Sequence, residues 1–248
     1  MKQVIMMFLL MVSTLLSVEA QTMSIDSLSE VKQNHNPKLT SLIAPTILIG
    51  TGIVGLHSHW LQTQDSDLRK EILKNSRIGT IYDDVSQYVP MASVYGLNAL
   101  GFKSTHTLGQ QAVLGGMSAL TMGILVNSMK YGIKKMRPDG SARNSFPSGH
   151  TATAFMGAEM LYQEYKDTSP WIWIAGYTMA TGTGFLRMYN NRHWLTDVIT
   201  GAGIGIFSVK LSYWLYPKIF TEKRNRKGVF VAPLYDGKNI GATAQIIF

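Results

Sequence analysis

The sequence TLGQQAVLGGMSALTMGILVNSM, residues 107–129, contains no charged residue over 23 positions and is followed by Lys130. An α-helix rises about 1.5 Å per residue, so about 20 apolar residues are enough to cross the hydrocarbon core of a bilayer. This stretch therefore predicts a membrane-spanning helix that reaches a polar surface at Lys130.

Stretches with few or no charges lie on both sides of this segment, separated by polar loops. Pro90 divides one of them, two glutamates interrupt another, and Pro217 should end the last. The pattern predicts an all-α, transmembrane helical bundle of about five or six helices. The stretches with few or no charges are 39–60, 85–102, 107–129, 150–165, 171–186 and 196–216, and the charged stretch 65–84 is predicted to be an amphipathic helix followed by a turn.

The ends of the chain differ in character from this helical domain, which we place at residues 39–217. Residues 1–20 combine Lys2, an apolar run and Val18-Glu19-Ala20, which is typical of a cleavable export signal. An uncleaved anchor helix is the alternative. Residues 21–38 are polar. Residues 218–248 are predicted to be a basic linker and a short C-terminal β-hairpin that turns at Asp236-Gly237.

The composition narrows the chemistry that the chain can perform. The formal net charge is +8, which suits anionic partners, and hydrophobic residues make up 46% of the chain. There are no cysteines, which excludes disulfides, thiolate metal sites and cysteine nucleophiles. No dense Lys/Arg tract with interleaved aromatic residues occurs, so we predict no nucleic-acid partner.

Nearly all the reactive side chains fall into three islands, each where a predicted helix meets a loop. Side chains at helix ends can converge on one surface although they are distant in sequence. The islands are Lys130 with Arg137-Pro138; Pro147-Ser148-Gly149-His150; and Arg187 with His193 and Asp197.

The positive residues of these islands match the chemistry of phosphate binding. Arginine forks bind phosphate oxygens in pairs, and lysine adds a point charge. Ser148 and Gly149 precede a predicted helix, whose first N–H groups and positive end favour an anion. The candidate phosphate-binding residues are Lys130, Arg137, Ser148, Gly149 and Arg187.

The two histidines of the islands supply the groups needed for phosphoryl transfer. His193 and Asp197 are four residues apart and share a helix face, so a carboxylate could orient the imidazole as a nucleophile. His150 is a second imidazole, able to protonate a leaving oxygen. These residues predict transfer through a phosphohistidine on His193. We expect no metal, because cations surround both histidines, and no cofactor.

These islands resemble the three signature stretches of the type 2 phosphatidic acid phosphatase and vanadium haloperoxidase superfamily. The resemblance covers about residues 80–216 and implies a helical phosphatase domain that needs no metal, with His193 as nucleophile, Asp197 as its orienting residue and His150 as acid/base. Leu186 departs from the pattern, which usually has serine there, and this removes one hydrogen bond to phosphate. An export signal and a β-like tail ending in phenylalanine resemble exported lipid phosphatases of Bacteroides-type bacteria.

Several functions fit this resemblance. We favour a membrane phosphatase that acts on a lipid phosphate monoester or pyrophosphate, such as lipid A, a phosphatidate-like lipid or a polyprenyl pyrophosphate. It would lie in the inner membrane with its site facing the periplasm. The alternatives are a soluble periplasmic acid phosphatase, a vanadium haloperoxidase that binds vanadate at the same residues, and a non-catalytic membrane scaffold. The sequence does not indicate an oligomeric state.

Taken singly, each island has a plainer interpretation. Ser148 could simply cap a helix, His193 and Asp197 could be a pair at a helix start, and Lys130 could flank a membrane segment. The cations Lys134, Lys135, Arg143 and Arg192 are expected to be solvated or to touch a lipid head group, and the histidines His35, His57, His59 and His106 to have structural or interfacial roles.

Overall fold

A computed structural model describes residues 39–74 and 81–220 with their side chains, and the backbone of 228–235 and 240–247. The predicted signal peptide and the polar segment 21–38 lie outside the described residues. A short 3-10 helix, Leu39–Leu42, precedes eight α-helices in the described part of the chain. They are α1 Ile43–Gly55, α2 His59–Leu73, α3 Tyr82–Ser86, α4 Val89–Ala99, α5 Leu108–Ile133, α6 Gly149–Tyr165, α7 Pro170–Tyr189 and α8 Leu195–Phe220.

Helix α6 lies at the centre of the bundle, and nearly all its side chains are buried. It packs against α4, α7 and α8. Small residues allow the helix backbones to touch: a Cβ on Gly157 would lie 2.5 Å from the backbone N of Met91, and one on Gly205 would lie 2.4 Å from the carbonyl O of Ala152. Because α6 begins at the Ser148-Gly149 island, this close packing fixes the position of that island.

Helices α5 and α8 are the two described helices that are long and apolar enough to cross a bilayer. In its most apolar 18-residue window, only 22% of α5 is buried inside the protein, against 72% of α8. Thus α8 belongs to the core, whereas α5 presents apolar side chains outward. The predicted helix at 107–129 is confirmed, and Thr107 caps it in a reciprocal capping box with Gln110.

Three sequence predictions about helix limits are wrong. Residues 39–60 do not form one helix, because α1 ends at Gly55 and the chain bends by 92° before α2, which Ser58 caps. Pro90 does not divide a helix but lies in the first turn of α4, where its missing N–H is tolerated. Pro217 lies inside α8, which continues to Phe220, because a proline near a helix end removes few backbone hydrogen bonds.

The predicted fold, a bundle of about five or six helices with a short C-terminal β-hairpin, requires correction. The described residues form eight helices, because the bend after Gly55 and the short α3 split stretches that the sequence showed as continuous. Strands β1 (Gly228–Tyr235) and β2 (Ile240–Ile247) pair antiparallel in a sheet of two strands. The fold class is that of a helical, membrane-type bundle. The prediction was wrong to include a C-terminal β-hairpin in this fold class.

The glutamates inside α6 are buried with polar partners. Glu164 accepts hydrogen bonds from Tyr213 Oη at 2.5 Å and Gln111 Nε2 at 3.0 Å, and it lies 2.8 Å from His106 Nδ1. Buried carboxylates are tolerated when they are paired in this way. Their burial with polar partners is consistent with α6 being a core helix of the bundle and not a simple apolar span.

Candidate active site

His193 lies in the short loop between α7 and α8, and only 3% of its surface is exposed. Its Nδ1 is 2.7 Å from the carbonyl O of Ser145. A carbonyl can only accept a hydrogen bond, so Nδ1 carries the proton and the lone pair is on Nε2. The backbone therefore fixes the tautomer that leaves Nε2 available as a nucleophile.

Asp197 lies in the first turn of α8, and its hydrogen bonds are made to residues other than His193, the partner that the sequence suggested. Its Oδ2 accepts hydrogen bonds from Ser145 Oγ and, at 3.0 Å, from the backbone N of Trp194. The same oxygen is 3.6 Å from His193 Nδ1, which is an ion-pair distance but too long for a hydrogen bond. Ser145, a residue that the sequence pattern did not single out, thus contacts both Asp197, through its hydroxyl, and the imidazole, through its carbonyl.

Lys135 joins this buried group, and the expectation that it is solvated is wrong. Its Nζ donates to Asp197 Oδ1 and to Thr196 Oγ1, both at 2.9 Å, and lies 3.6 Å from Asp65 Oδ2. Asp65, on α2, accepts from the backbone N of Thr196 at 3.1 Å. A carboxylate more than 100 positions away in sequence therefore fixes the start of the helix that carries Asp197. Sequence reasoning had no signal for this contact.

Burial keeps His193 neutral. The pKa of His193 is lowered from 6.5 to about 4, mainly because burial removes the ring from water; Arg187 and Lys130 add to this shift and Asp197 opposes it. At neutral pH the ring is therefore unprotonated on Nε2, as a nucleophile must be.

The three predicted cations, Lys130, Arg137 and Arg187, form what we call the cationic cluster. Arg187 is 6% exposed, and its Nη1 donates to Asp83 Oδ2 at 2.5 Å. The Nε–H groups of Arg137 and Arg187 are buried without a hydrogen-bond partner among the described residues. Buried guanidinium donors left unpaired are costly, so both are well suited to receive the oxygens of an anion.

A cavity of about 560 Å³ opens beside these arginines. It brings together three of the predicted site residues, Arg137, His150 and Arg187. The other five lie outside its lining but are linked to one another; for example, Ser148 N donates to the carbonyl O of Asp197 at 3.0 Å. The lining residues are Ile81, Asp83, Asp84, Arg137, Asp139, His150, Arg187, Asn190, Asn191 and Arg192.

Ser148 and Gly149 form the start of α6. The Ser148 side chain caps this helix at Thr151, with the two hydroxyl oxygens 2.9 Å apart, so the plain capping interpretation holds for its hydroxyl. Helix α8 passes directly over this turn: a Cβ on Gly201 would lie 2.4 Å from the carbonyl O of Ser148. The position of the second island thus depends on a glycine in the helix that carries Asp197.

His150 is more open than His193, with 29% of its side chain exposed. Its Nε2 lies 2.8 Å from Asp84 Oδ1, on α3. The pKa of His150 lies below its usual value, because burial and the nearby Arg187 lower it by more than the hydrogen bond and charge of Asp84 raise it. The adjacent acidic pair Asp83-Asp84 was not among the predicted site residues, although two neighbouring carboxylates in a chain of net charge +8 are a visible signal.

Arg192, another of the cations near the site, is bound by a carboxylate. Arg192 is 2.9 Å from Asp139 in an exposed ion pair at the rim of the cavity. The described residues contain no group of three or more His, Cys, Asp or Glu side chains that could hold a metal ion.

The sequence of the chain is similar to those of known phosphatases. Residues 99–221 match the PAP2 superfamily. The chain is 44% identical over 144 residues to a lipid A 1-phosphatase from Porphyromonas gingivalis, a match that covers 58% of this chain and 32% of the relative. It is 31% identical over 116 residues to an undecaprenyl-diphosphatase from Sulfolobus acidocaldarius, covering 42% and 53% of the two chains. The chain thus spans about a third to a half of these relatives' length.

A solved structure shares the fold. It is the first transmembrane PAP2 type phosphatidylglycerolphosphate phosphatase from Bacillus subtilis, which superimposes with a TM-score of 0.50 at 22% identity. The match covers 73% of this chain and 98% of that one. At this identity the likeness establishes the helical architecture alone.

Proposed function

We propose that the chain is a lipid phosphatase that works through a phosphohistidine on His193, and that residues 99–221, which match the PAP2 superfamily, form its catalytic domain. The proposal is supported above all by the Nε–H donors of Arg137 and Arg187, two residues that line the cavity beside His150, because both donors are buried without a partner in the part of the chain that the structure describes. Such donors bind the equatorial oxygens of a transferring phosphoryl group, whose charge grows in the transition state.

In the first step, Nε2 of His193 attacks phosphorus, and the bond from phosphorus to the ester oxygen breaks. His150, in its protonated form, gives a proton to the departing oxygen, so an alcohol leaves and a phosphohistidine remains. The neutral state of His193, fixed by burial and by the Ser145 carbonyl, supports its role as the attacking group.

In the second step, His150 is neutral and accepts a proton from water. The resulting hydroxide attacks phosphorus, the bond from phosphorus to Nε2 breaks, and inorganic phosphate is released. Both histidines return to their starting protonation states. The cationic cluster stabilises the same phosphoryl oxygens in both steps.

A lipid substrate is supported by the setting of the site. Helices α5 and α8 are long and apolar enough to span a bilayer, and α5 exposes large side chains such as Leu120 and Ile124. The relatives named above act on lipid A 1-phosphate and undecaprenyl diphosphate by their names. We therefore propose a lipid phosphate monoester or pyrophosphate as the substrate class, and the inner membrane as the location, with the site facing the periplasm.

The activity is tested with purified protein in detergent micelles. Phosphate release is measured from lipid A, phosphatidate, phosphatidylglycerol phosphate and undecaprenyl pyrophosphate, and from p-nitrophenyl phosphate as a soluble substrate. We expect turnover of at least one lipid that His193→Gln abolishes. A wild-type protein without phosphate release from every substrate would contradict the proposal.

The orientation of the site is tested by labelling. The chain has no native cysteine, so Arg143→Cys introduces a single thiol at an exposed position of the loop between α5 and α6. A membrane-impermeant thiol reagent should label this residue in cells whose inner membrane is intact. Labelling that occurs only after lysis would place the site on the cytoplasmic side.

A further inference from the structure

We propose that Asp84 is a positioning residue for His150: it fixes which ring nitrogen carries the proton and favours the protonated form of the imidazole that acts as the acid. The proposal rests on the proposed function. It assigns a role to a residue that lies outside the part of the chain matching the PAP2 superfamily, residues 99–221. The observation behind it is the 2.8 Å contact between Asp84 Oδ1 and His150 Nε2.

Asp84 lies on a helix that is firmly attached to the bundle. Its neighbour Asp83 is buried and is bound by Arg187 Nη1 at 2.5 Å and by Asn190 Nδ2 at 3.0 Å. Two residues further on, Ser86 Oγ lies 2.8 Å from Thr183 Oγ1 of α7. Helix α3 is thus held on both sides of Asp84, which leaves the carboxylate of Asp84 directed at His150.

The charges around His150 make such a partner necessary. Arg187, on α7, acts on the ring directly, and a positive neighbour disfavours the protonated imidazole that an acid must be. Asp84 opposes this effect both as a charge and as a hydrogen-bond acceptor. The charged groups that face His150 or line the same cavity are Asp83 and Asp84 on α3, Arg187 on α7, Arg137 and Asp139 in the loop after α5, and Arg192 before α8.

The same contact decides which nitrogen gives the proton. A carboxylate accepts from Nε2–H, so Nε2 keeps its proton throughout and Nδ1 is the nitrogen that titrates. In the first step the Nδ1 proton passes to the ester oxygen as its bond to phosphorus breaks, and the ring becomes neutral with Nε2–H still on Asp84. In the second step Nδ1 takes a proton from water. The site would then use opposite nitrogens of its two histidines.

A competing explanation gives Asp84 a different role. Its Oδ1 is also 3.7 Å from Arg187 Nη1, so the carboxylate could occupy the place of a phosphate oxygen and be displaced by substrate. Removing it would then tighten phosphate binding and leave proton transfer unchanged. The exposure of the Asp84 side chain, 61%, does not distinguish the two roles, but kinetics do.

The test compares wild type with Asp84→Asn, with Asp67→Asn as a control. Asp67 is an exposed residue of α2 that pairs only with Lys70 among the described residues, so its variant removes the same charge away from the site. We expect Asp84→Asn to lower kcat about tenfold for an alkyl phosphate, which needs the acid, and less than twofold for p-nitrophenyl phosphate. Its alkaline pH limb should move down by about one unit, because loss of the carboxylate lowers the pKa of His150.

Three kinetic results would overturn the proposal. An equal loss for both substrates with an unmoved pH limb would indicate a structural role only. A lower KM and tighter inhibition by inorganic phosphate, at unchanged kcat, would indicate that Asp84 occupies the phosphate position. Behaviour identical to wild type would show that the contact has no role.

A measurement that needs no turnover separates this proposal from the proposed function. The pKa of His150 is followed by nitrogen NMR of protein with labelled histidine, assigned with His150→Gln. We expect a lower pKa in Asp84→Asn than in wild type and in Asp67→Asn, and an unchanged pKa would refute the role of Asp84. If wild type released no phosphate while this shift occurred, the proposed function alone would fail.

Discussion

His193 and His150 lie in one site but are held in opposite ways. His193 is almost fully buried, its Nδ1 is bound by a backbone carbonyl, and its pKa is lowered to about 4. His150 is partly exposed and is bound through Nε2 by the carboxylate of Asp84. Their partners and burial, rather than their residue type, would divide the proposed roles: a neutral ring suits attack, and a ring beside a carboxylate suits proton transfer.

The two histidines also differ in where their partners come from. Ser145 and Asp197, which hold His193, lie within the part of the chain that matches the PAP2 superfamily, whereas Asp84 lies before it. A helix that precedes the matched residues, α3, therefore supplies the carboxylate that contacts His150.

The largest expected effect comes from His193→Gln, which removes the attacking nitrogen at nearly constant volume. Without the nucleophile, hydrolysis should fall by about 10⁴-fold or more for every substrate, whatever its leaving group. Phosphate release from phosphatidate and from p-nitrophenyl phosphate measures this. His57→Gln, at an exposed position between α1 and α2, is the control and should behave as wild type.

The effect of His150→Ala should depend on the leaving group of the substrate, whereas the effect of His193→Gln should not. An alkyl leaving group needs protonation, so its turnover should fall about 10²-fold or more, whereas p-nitrophenyl phosphate should lose much less. The ratio of kcat for the two substrates is the measurement. An equal loss for both would mean that His150 is not the acid, and the contrast between the two histidines would disappear.

Gly201→Ala tests the packing that both histidines share. The added Cβ would lie 2.4 Å from the carbonyl O of Ser148, so α8 and the start of α6 must separate. We expect a loss of about 1–3 kcal/mol in the free energy of unfolding, seen as a lower Tm, and reduced kcat for all substrates. Gly123→Ala on α5, where a Cβ meets nothing within 4 Å, is the matched control and should not destabilise the protein.

The smallest effect is a dependence of stability on pH. Because the folded pKa of His193 is below its usual value of 6.5, the unfolded chain binds more protons between pH 6.5 and about 4. Stability is therefore complete above this window and is lost as the pH falls through it, by about 1 kcal/mol between pH 6 and pH 5. Thermal unfolding at the two pH values measures it, and His193→Gln should show a smaller difference in Tm than wild type.

The sequence predicted the long helix α5, because that helix depends on a local pattern of uncharged residues. It did not predict the partners of the site, because these are long-range contacts. Asp65 meets Thr196 from 131 positions away, and Asp84 meets His150 from 66. Lys135 had no pattern that distinguished it from the solvated lysines of its loop.

The predictions of the helix limits were wrong for a related reason. Pro217 and Pro90 are strong local signals, yet their effect depends on where they fall within a helix that packing has already set. The bend after Gly55 contains no proline and no charged residue. The uncharged run of 22 residues at 39–60 therefore predicted one helix, whereas the structure has two, α1 and the start of α2. Composition indicates that a segment is apolar, and tertiary contacts decide whether it is straight.

The central claim, that His193 carries the phosphoryl group, is tested most directly by trapping the intermediate. The protein is mixed with substrate labelled with ³²P at the transferred phosphate, quenched in alkali within milliseconds, and the labelled peptide is identified by mass spectrometry. We predict an alkali-stable, acid-labile phosphohistidine at His193 that is absent from His193→Gln and present in His57→Gln. Turnover without label on the protein, or label on another residue, would contradict the account.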